Sequence, residues 1–120
     1  MKILQSFKAA INGIITCFIS EANFKIHAVF AAAAVVMGFI FTIAAAEWLA
    51  VIFCIALVAA MEMMNTALEK LCDVVHRDLH DGIKKVKDMA AGAVLLSAVC
   101  SAVAGAVIFL PKIIATLKHM

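Results

Sequence analysis

The sequence predicts an all-α integral membrane protein with three transmembrane helices and an amino-terminal amphipathic helix on the membrane surface. Apolar residues make up 67% of the 120 residues and the mean hydropathy is +1.13, whereas soluble domains are roughly 45–50% apolar. Charged residues, 15% of the chain, cluster between long apolar runs. The net charge of +2 and the lack of interleaved basic and aromatic residues exclude a nucleic-acid partner. Residues 1–120 are predicted to form a single membrane-embedded domain.

The amino-terminal segment, residues 1–20, is predicted to be an amphipathic helix in the plane of the membrane surface. Its large apolar residues recur at steps of three and four, and polar residues fall between them. A signal peptide is the alternative interpretation, but no compact apolar core followed by a small-residue cleavage site is visible. The residues that set the period are Ile3, Leu4, Phe7, Ile11, Ile14, Ile15 and Phe18.

Three transmembrane helices are predicted at about residues 28–46, 48–70 and 89–110, because a span needs roughly 20 residues. The second is unusual, since its uncharged part, Trp48–Met61, covers only about 21 Å of a hydrocarbon core of roughly 30 Å. It must nevertheless cross, because Glu47 alone separates it from the first span. The polar residues that follow Met61 therefore complete the crossing.

The connection between the second and third spans contains a turn signal at Asp81-Gly82. We expect the second helix to continue beyond the membrane to about Leu79. The third helix is then expected to start near Ile83.

The distribution of Lys and Arg predicts that the amino terminus and the connection between the second and third spans are cytoplasmic. The turn between the first two spans has no Lys or Arg, so it is expected outside, as is the carboxyl terminus. Lys112 and Lys118, after the last span, argue mildly against this orientation. The cytoplasmic basic residues are Lys2, Lys8, Lys25, Lys70, Arg77, Lys84, Lys85 and Lys87.

The stretch "EMMNTALEKLCD" places four polar side chains on one helical face as the second span ends. At about 100° per residue, Asn65, Glu69 and Asp73 lie at about −60°, −20° and +20° from Glu62. A carboxylate at membrane depth costs roughly 2.5–3.5 kcal/mol on insertion scales, and such residues are functional by default. A polar seam that holds helices together is the alternative interpretation.

The depths of these carboxylates are expected to differ. Glu62 should lie just inside the hydrocarbon edge, and Glu69 should lie about 10 Å nearer to water. Because three like charges on one face repel, a divalent cation, a protonated Glu62 or basic groups from a neighbouring helix must offset them.

Three further charged residues are expected at the same level. Glu21 ends the amino-terminal helix, and Lys87 and Asp88 lie where the third helix opens. Unpaired N–H groups at a helix start favour anions, and a neighbouring lysine can hold phosphate. Asp88 could instead be only a capping acid. The combination predicts carboxylates for Mg²⁺, a lysine for phosphate and a base at membrane level.

Three motifs, "EMMNTALEKLCD", "KDMAAGAVLL" and "SEANFKIH", resemble the prokaryotic diacylglycerol kinase family, which includes the undecaprenol kinases. The resemblance covers nearly the whole chain. It implies a homotrimer with active sites shared between protomers, in the cytoplasmic membrane of a bacterium. It also implies transfer of phosphate from MgATP to a membrane lipid alcohol on the cytoplasmic side.

The resemblance implies a role for each matching residue. Glu62 would be the catalytic base, Glu21 and Glu69 would hold the metal, and Glu62 and Ala91 would contact the lipid. Ala9 stands where some members have an aromatic residue near the nucleotide, which puts that contact in doubt. The residues implied to bind ATP are Lys2, Glu21, Asn65, Glu69, Asp73, His80, Lys87 and Asp88.

The lipid substrate is the less determined part of this interpretation. "NFKIH" and the "EW" before the second span resemble the undecaprenol-preferring branch, so undecaprenol is slightly favoured over diacylglycerol. A non-enzymatic oligomer or ion pathway, with the carboxylates as a cation route, is a further alternative. The absence of a charged residue in Trp48–Met61 argues against conduction.

Overall fold

Four long α-helices make up the fold of the computed structural model, which describes residues 2–75 and 81–120. No strand occurs in these two ranges, so the predicted all-α class is confirmed. At 1.5 Å per residue, the last two helices are about 46 and 57 Å long, well beyond the roughly 30 Å of a hydrocarbon core. The helices are α1 (Lys2–Ser20), α2 (Ala22–Ile40), α3 (Ala45–Val75) and α4 (Asp81–Lys118).

All four helices are long and apolar enough to cross a bilayer by length and composition. This includes α1, so its location on the membrane surface stays a prediction. Residues 2–16 of α1 are exposed throughout, and Cys17 is the one buried residue of this helix. Helix α1 therefore packs on the rest of the chain through its carboxyl-terminal end.

A tight turn between α2 and α3 falls inside the predicted first span. The helix ends at Ile40 rather than near residue 46, and the N–H groups of Phe41 and Ile43 donate to the carbonyls of Met37 and Gly38. Thr42 adopts a positive φ of 46°. The turn escaped prediction because every residue from 28 to 46 is uncharged, and hydropathy alone does not distinguish a turn from a helix in such a run.

The start of α3 is fixed to α4 by an ion pair. Glu47 Oε1 accepts a hydrogen bond from the Ala44 N–H at 3.0 Å, and Glu47 Oε2 accepts one from Lys112 Nζ at 2.7 Å. Lys112 also donates to the carbonyl of Ile108 at 3.1 Å, beside Pro111, which α4 accommodates in its interior. The carboxylate of Glu47 compensates the positive charge of Lys112. Lys112 is one of the two lysines that argue against placing the carboxyl terminus outside.

The buried core lies at this same end of the bundle. It consists of Ile43, Val51, Ile108 and Phe109, and the partly buried Trp48 packs against it. Helix α4 packs most extensively on α3, and α2 packs on α3 over a smaller area. Most other large apolar side chains are exposed, as expected for surfaces that face lipid or another protein copy.

The start of α4 differs from the sequence prediction. Asp81 and Gly82 lie in the first turn of the helix, so the predicted turn at these residues is wrong. The structure describes α3 to Val75. The predicted extension of that helix to Leu79 lies outside the described residues.

Gly38 is predicted to be required for the close approach of α2 to Trp48. A Cβ at this position would lie 2.6 Å from the indole of Trp48, whereas a Cβ at Gly13 would meet nothing within 4 Å. Gly38→Ala should therefore destabilise the protein by about 1–3 kcal/mol through overpacking. Gly13→Ala, the matched control, should be neutral or stabilising by up to about 1 kcal/mol.

Thermal unfolding of both variants in detergent would check this expectation. A Gly38→Ala variant as stable as Gly13→Ala would contradict the role of this contact.

Candidate functional site

The polar residues of α3 other than Glu47 lie in its carboxyl-terminal half, far from the Glu47–Lys112 pair. Three other segments contact them there. Helix α2 brings His27 to Glu62, with Nε2 and Oε2 3.5 Å apart. The junction of α1 and α2 brings Glu21 to Lys70 at 4.0 Å. Helix α4 brings Lys87 to Asp73. One helix therefore carries the site, and its neighbours supply the charged partners.

Glu62 is the most deeply buried ionisable group of the described chain, with 3% of the residue exposed. Thr66, one turn further along α3, is also buried and lies within hydrogen-bond reach of the Cys17 thiol of α1. The side chain of His27 is 28% exposed. Glu62 thus lies close to α1 and α2, and within residues 2–75 and 81–120 its ion pair is with His27.

Asn65 and Glu69 form the next layer of the site. The Asn65 side-chain Nδ2 donates to Glu69 Oε1 at 3.3 Å. The Asn65 Oδ1 atom is buried and accepts no hydrogen bond. A buried acceptor without a partner is costly, so the unpaired Asn65 oxygen beside Glu69 is a candidate ligand-binding atom.

Glu21 occupies the single residue between α1 and α2. It is the N-cap of α2, with an extended backbone at φ −113° and ψ 116°, but its side chain makes no capping hydrogen bond. The backbone N–H of Glu21 still donates to the Cys17 carbonyl at 3.0 Å. The carboxylate is therefore not used by the helix start, and Lys70 is the cation beside it.

Lys87 and Asp73 connect α4 to α3. Lys87 Nζ donates to Asp73 Oδ1 at 2.9 Å. Lys87 precedes the apolar run Met89–Pro111, and this hydrogen bond raises its pKa above the ordinary lysine value. The ammonium group therefore stays charged at neutral pH and suits an anionic ligand.

Asp88 differs from its predicted position. It lies seven residues into α4, where it accepts a hydrogen bond from Lys84 at 2.7 Å. The unpaired N–H groups of a helix belong to its first turn, which starts here at Asp81. The prediction that Lys87 and Asp88 lie at the helix opening is therefore wrong, and the alternative interpretation of Asp88 as a capping acid does not apply.

The oxygen donors of the site fit Mg²⁺ of a nucleotide. Within residues 2–75 and 81–120, no group of three or more His, Cys, Asp or Glu side chains could hold a metal alone. Mg²⁺, however, is commonly bound by one or two carboxylates together with substrate phosphates. Two groups match this oxygen chemistry. They are the unpaired Asn65 Oδ1 beside Glu69 and the Glu21 carboxylate, which makes no capping hydrogen bond.

Two of the predicted site residues, Lys2 and Ala91, are not brought to this cluster. Lys2 lies at the far end of α1, about 28 Å from Glu21 along the helix axis. His80 lies outside the described residues. Ala91 is exposed on α4.

Sequence reasoning missed four residues that contact the cluster, namely His27, Lys70, Cys17 and Thr66. His27 stands in the quoted "SEANFKIH" stretch and Thr66 in "EMMNTALEKLCD". Both lie within motifs, yet their contacts run between helices, so helical periodicity within one segment gives no signal for them.

A cavity of about 600 Å³ lies between α2, α3 and α4. It exists because much of its lining is alanine, which leaves space between the helices. His27, the contact of Glu62, is among the lining residues. Other lining residues are Phe24, Ala31, Val51, Val58, Ala98, Ser101 and Gly105.

Comparison with known proteins agrees with the resemblance found in the sequence motifs. The family model for prokaryotic diacylglycerol kinase matches residues 8–109. The chain is 37% identical over 112 residues to an undecaprenol kinase of Bacillus subtilis, covering 93% of this chain and 91% of that protein. It is 33% identical over 113 residues to a diacylglycerol kinase of Synechocystis, covering 93% of this chain and 65% of that protein.

The fold and site define a multi-pass helical membrane protein with a charged, oxygen-rich cluster where its apolar helices end. The extent of the family match then identifies it: the chain belongs to the prokaryotic diacylglycerol kinase family. It is therefore an ATP-dependent lipid kinase.

The Asp73–Lys87 contact generates a prediction that does not depend on activity. Asp73→Lys and Lys87→Asp should each lower the midpoint of thermal unfolding, because each places like charges at a 2.9 Å contact between α3 and α4. The double exchange restores opposite charges and should recover most of the loss.

Unfolding of the three variants in detergent at low ionic strength would measure this coupling, since salt screens exposed pairs. Effects that simply add in the double variant would contradict a direct contact.

Proposed function

We propose that the protein transfers the γ-phosphate of MgATP to the hydroxyl of a membrane lipid alcohol, with undecaprenol slightly favoured. The observation that carries this proposal is the order of groups along α3. The buried carboxylate of Glu62 contacts His27, and His27 lines an apolar cavity. Asn65 and Glu69, which contact each other, follow about one and two turns further along α3. A lipid hydroxyl and a nucleotide in water require that order.

Glu62 is proposed as the general base. Its carboxylate would take the proton of the lipid hydroxyl as the hydroxyl oxygen attacks the γ-phosphorus and the bond to ADP breaks. Phosphoryl transfer depends mainly on positioning and charge neutralisation, so a separate nucleotide-binding domain is not required. Burial of Glu62 keeps bulk water away from the base and supports transfer to lipid rather than hydrolysis.

The remaining polar groups are proposed to bind the nucleotide. Glu21 and Glu69 would hold the Mg²⁺ of the nucleotide, which neutralises charge on the phosphates. Lys87, whose ammonium is held by Asp73, would contact a phosphate oxygen, and Asn65 would offer its open Oδ1. Asp88, His80 and Lys2 are proposed to line the nucleotide region, and Ala91 the lipid.

The family resemblance also supports a homotrimer with shared active sites, in the cytoplasmic membrane of a bacterium. The amino terminus and the site would face the cytoplasm and the carboxyl terminus the outside. The exposure of Glu69 and Asp73 on one chain is compatible with completion of the site by a second copy. The distance of Lys2 from its own cluster agrees with such sharing.

Two glutamate variants would separate the proposed roles. Glu62→Gln should lower the turnover of γ-phosphate transfer by about 10²–10⁴-fold, the usual contribution of a general base, with nucleotide affinity unchanged. Glu69→Gln should instead weaken Mg²⁺-dependent nucleotide binding. The measurements are transfer from labelled ATP to lipid, and binding of an ATP analogue with and without Mg²⁺.

Glu47→Gln, at the other end of α3, serves as the control and should keep near-normal turnover in assembled protein. Near-normal turnover of Glu62→Gln would overturn the assignment of the base.

The choice of lipid is tested by a direct comparison of undecaprenol and diacylglycerol in the same mixed micelles. We expect a kcat/KM at least several-fold higher for undecaprenol. The resemblance of "NFKIH" and "EW" to the undecaprenol branch and the match to the Bacillus subtilis protein support this expectation.

A preference for diacylglycerol would reverse the branch assignment and leave the kinase proposal standing. Phosphorylation of neither lipid would overturn the proposed function itself.

A further inference from the structure

We propose that His27 is a positioning residue that holds the Glu62 carboxylate in place for proton transfer; this proposal rests on the proposed role of Glu62. His27 Nε2 lies 3.5 Å from Glu62 Oε2 across the α2–α3 interface. The distance is longer than an ideal hydrogen bond. Catalytic hydrogen bonds are often long without substrate and shorten in the reactive complex.

Few groups other than His27 are available to hold the Glu62 carboxylate in place. Among the described residues, Glu62 forms its ion pair with His27 of α2, and the Cys17 thiol of α1 lies near it. Only the imidazole can donate a hydrogen bond and also carry positive charge. A buried carboxylate without a donor is costly, so this one contact decides where Glu62 points.

The position of His27 is itself well determined. Phe24, one turn earlier on α2, packs edge-on against Phe18 of α1 with ring centroids 6.2 Å apart. Phe24 and His27 both line the cavity. Because residues i and i+3 share a helix face, the packing of Phe24 holds in place the face of α2 on which His27 lies.

His27 therefore stands between the cavity and the base. A lipid substrate whose hydrocarbon chain lies in the cavity would reach Glu62 past the imidazole ring of His27. An imidazole there can fix one carboxylate oxygen and leave the other free for the substrate proton. This arrangement assigns His27 an effect on turnover and little effect on nucleotide affinity.

The test compares His27→Phe, which keeps a ring but removes the donor, with His27→Gln, which keeps a donor. His27→Phe should lower kcat by about 10–100-fold, the size expected for one hydrogen bond to a charged group, with the KM for ATP unchanged. His27→Gln should recover most of that loss. His119→Phe, the same exchange at an exposed histidine near the carboxyl terminus, should have no effect.

Other results would overturn the proposal. Normal kcat in His27→Phe, or an equal loss in His27→Phe and His27→Gln, would exclude a positioning role. A change confined to the KM for lipid would make His27 a substrate contact instead. If the wild-type protein phosphorylates no lipid, the proposed function fails, and that result is distinct from any of these.

A second measurement tests the contact without activity. The ¹⁵N signal of His27 Nε2 should move in Glu62→Gln, and it should stay in place in Glu47→Gln, the distant control. An unchanged signal in Glu62→Gln would overturn the proposal even in an active enzyme.

Discussion

The constraint that organises this protein is the burial of one carboxylate in an otherwise apolar helix. A charged group taken out of water must be compensated by partners with good geometry, or it destabilises the fold. The partner of Glu62 is His27 of α2, with Nε2 and Oε2 3.5 Å apart. Under the proposed function, the contact between α2 and the middle of α3 would serve chemistry as well as stability.

The two ends of α3 are built differently because of this constraint. At one end, Trp48, Ile108 and their neighbours form the compact core, and the Glu47–Lys112 pair fixes the helices. The cavity between α2, α3 and α4 begins beside this core, at Val51, Ile108 and Phe109, and reaches His27. At the other end of α3, charged groups make contacts between the helices.

The sequence predicted the parts of the site that lie on one helix. The shared face of Glu62, Asn65, Glu69 and Asp73 follows from 3.6 residues per turn, and Asn65 does contact Glu69 at the expected i, i+4 spacing. Contacts between helices could not be predicted from the sequence. His27 and Glu62 are 35 residues apart along the chain, and no periodicity within one segment relates them.

The errors in the sequence prediction have the same physical origin. Asp88 was placed at a helix start because charge and hydropathy change there, although backbone hydrogen bonding begins at Asp81. The turn after Ile40 is formed by uncharged residues, so composition does not reveal it. Turns in apolar surroundings depend on local backbone geometry, of which the positive φ of Thr42 is the clearest instance.

The single residue between α1 and α2 has a consequence for how this chain can vary in length. Glu21 continues the backbone hydrogen bonding of α1 while it starts α2. Insertion of one residue there would rotate α1 by about 100° about its axis and turn Cys17 away from Thr66. The junction is partly exposed, where loops usually tolerate insertions, yet its length is as restricted as that of a buried helix.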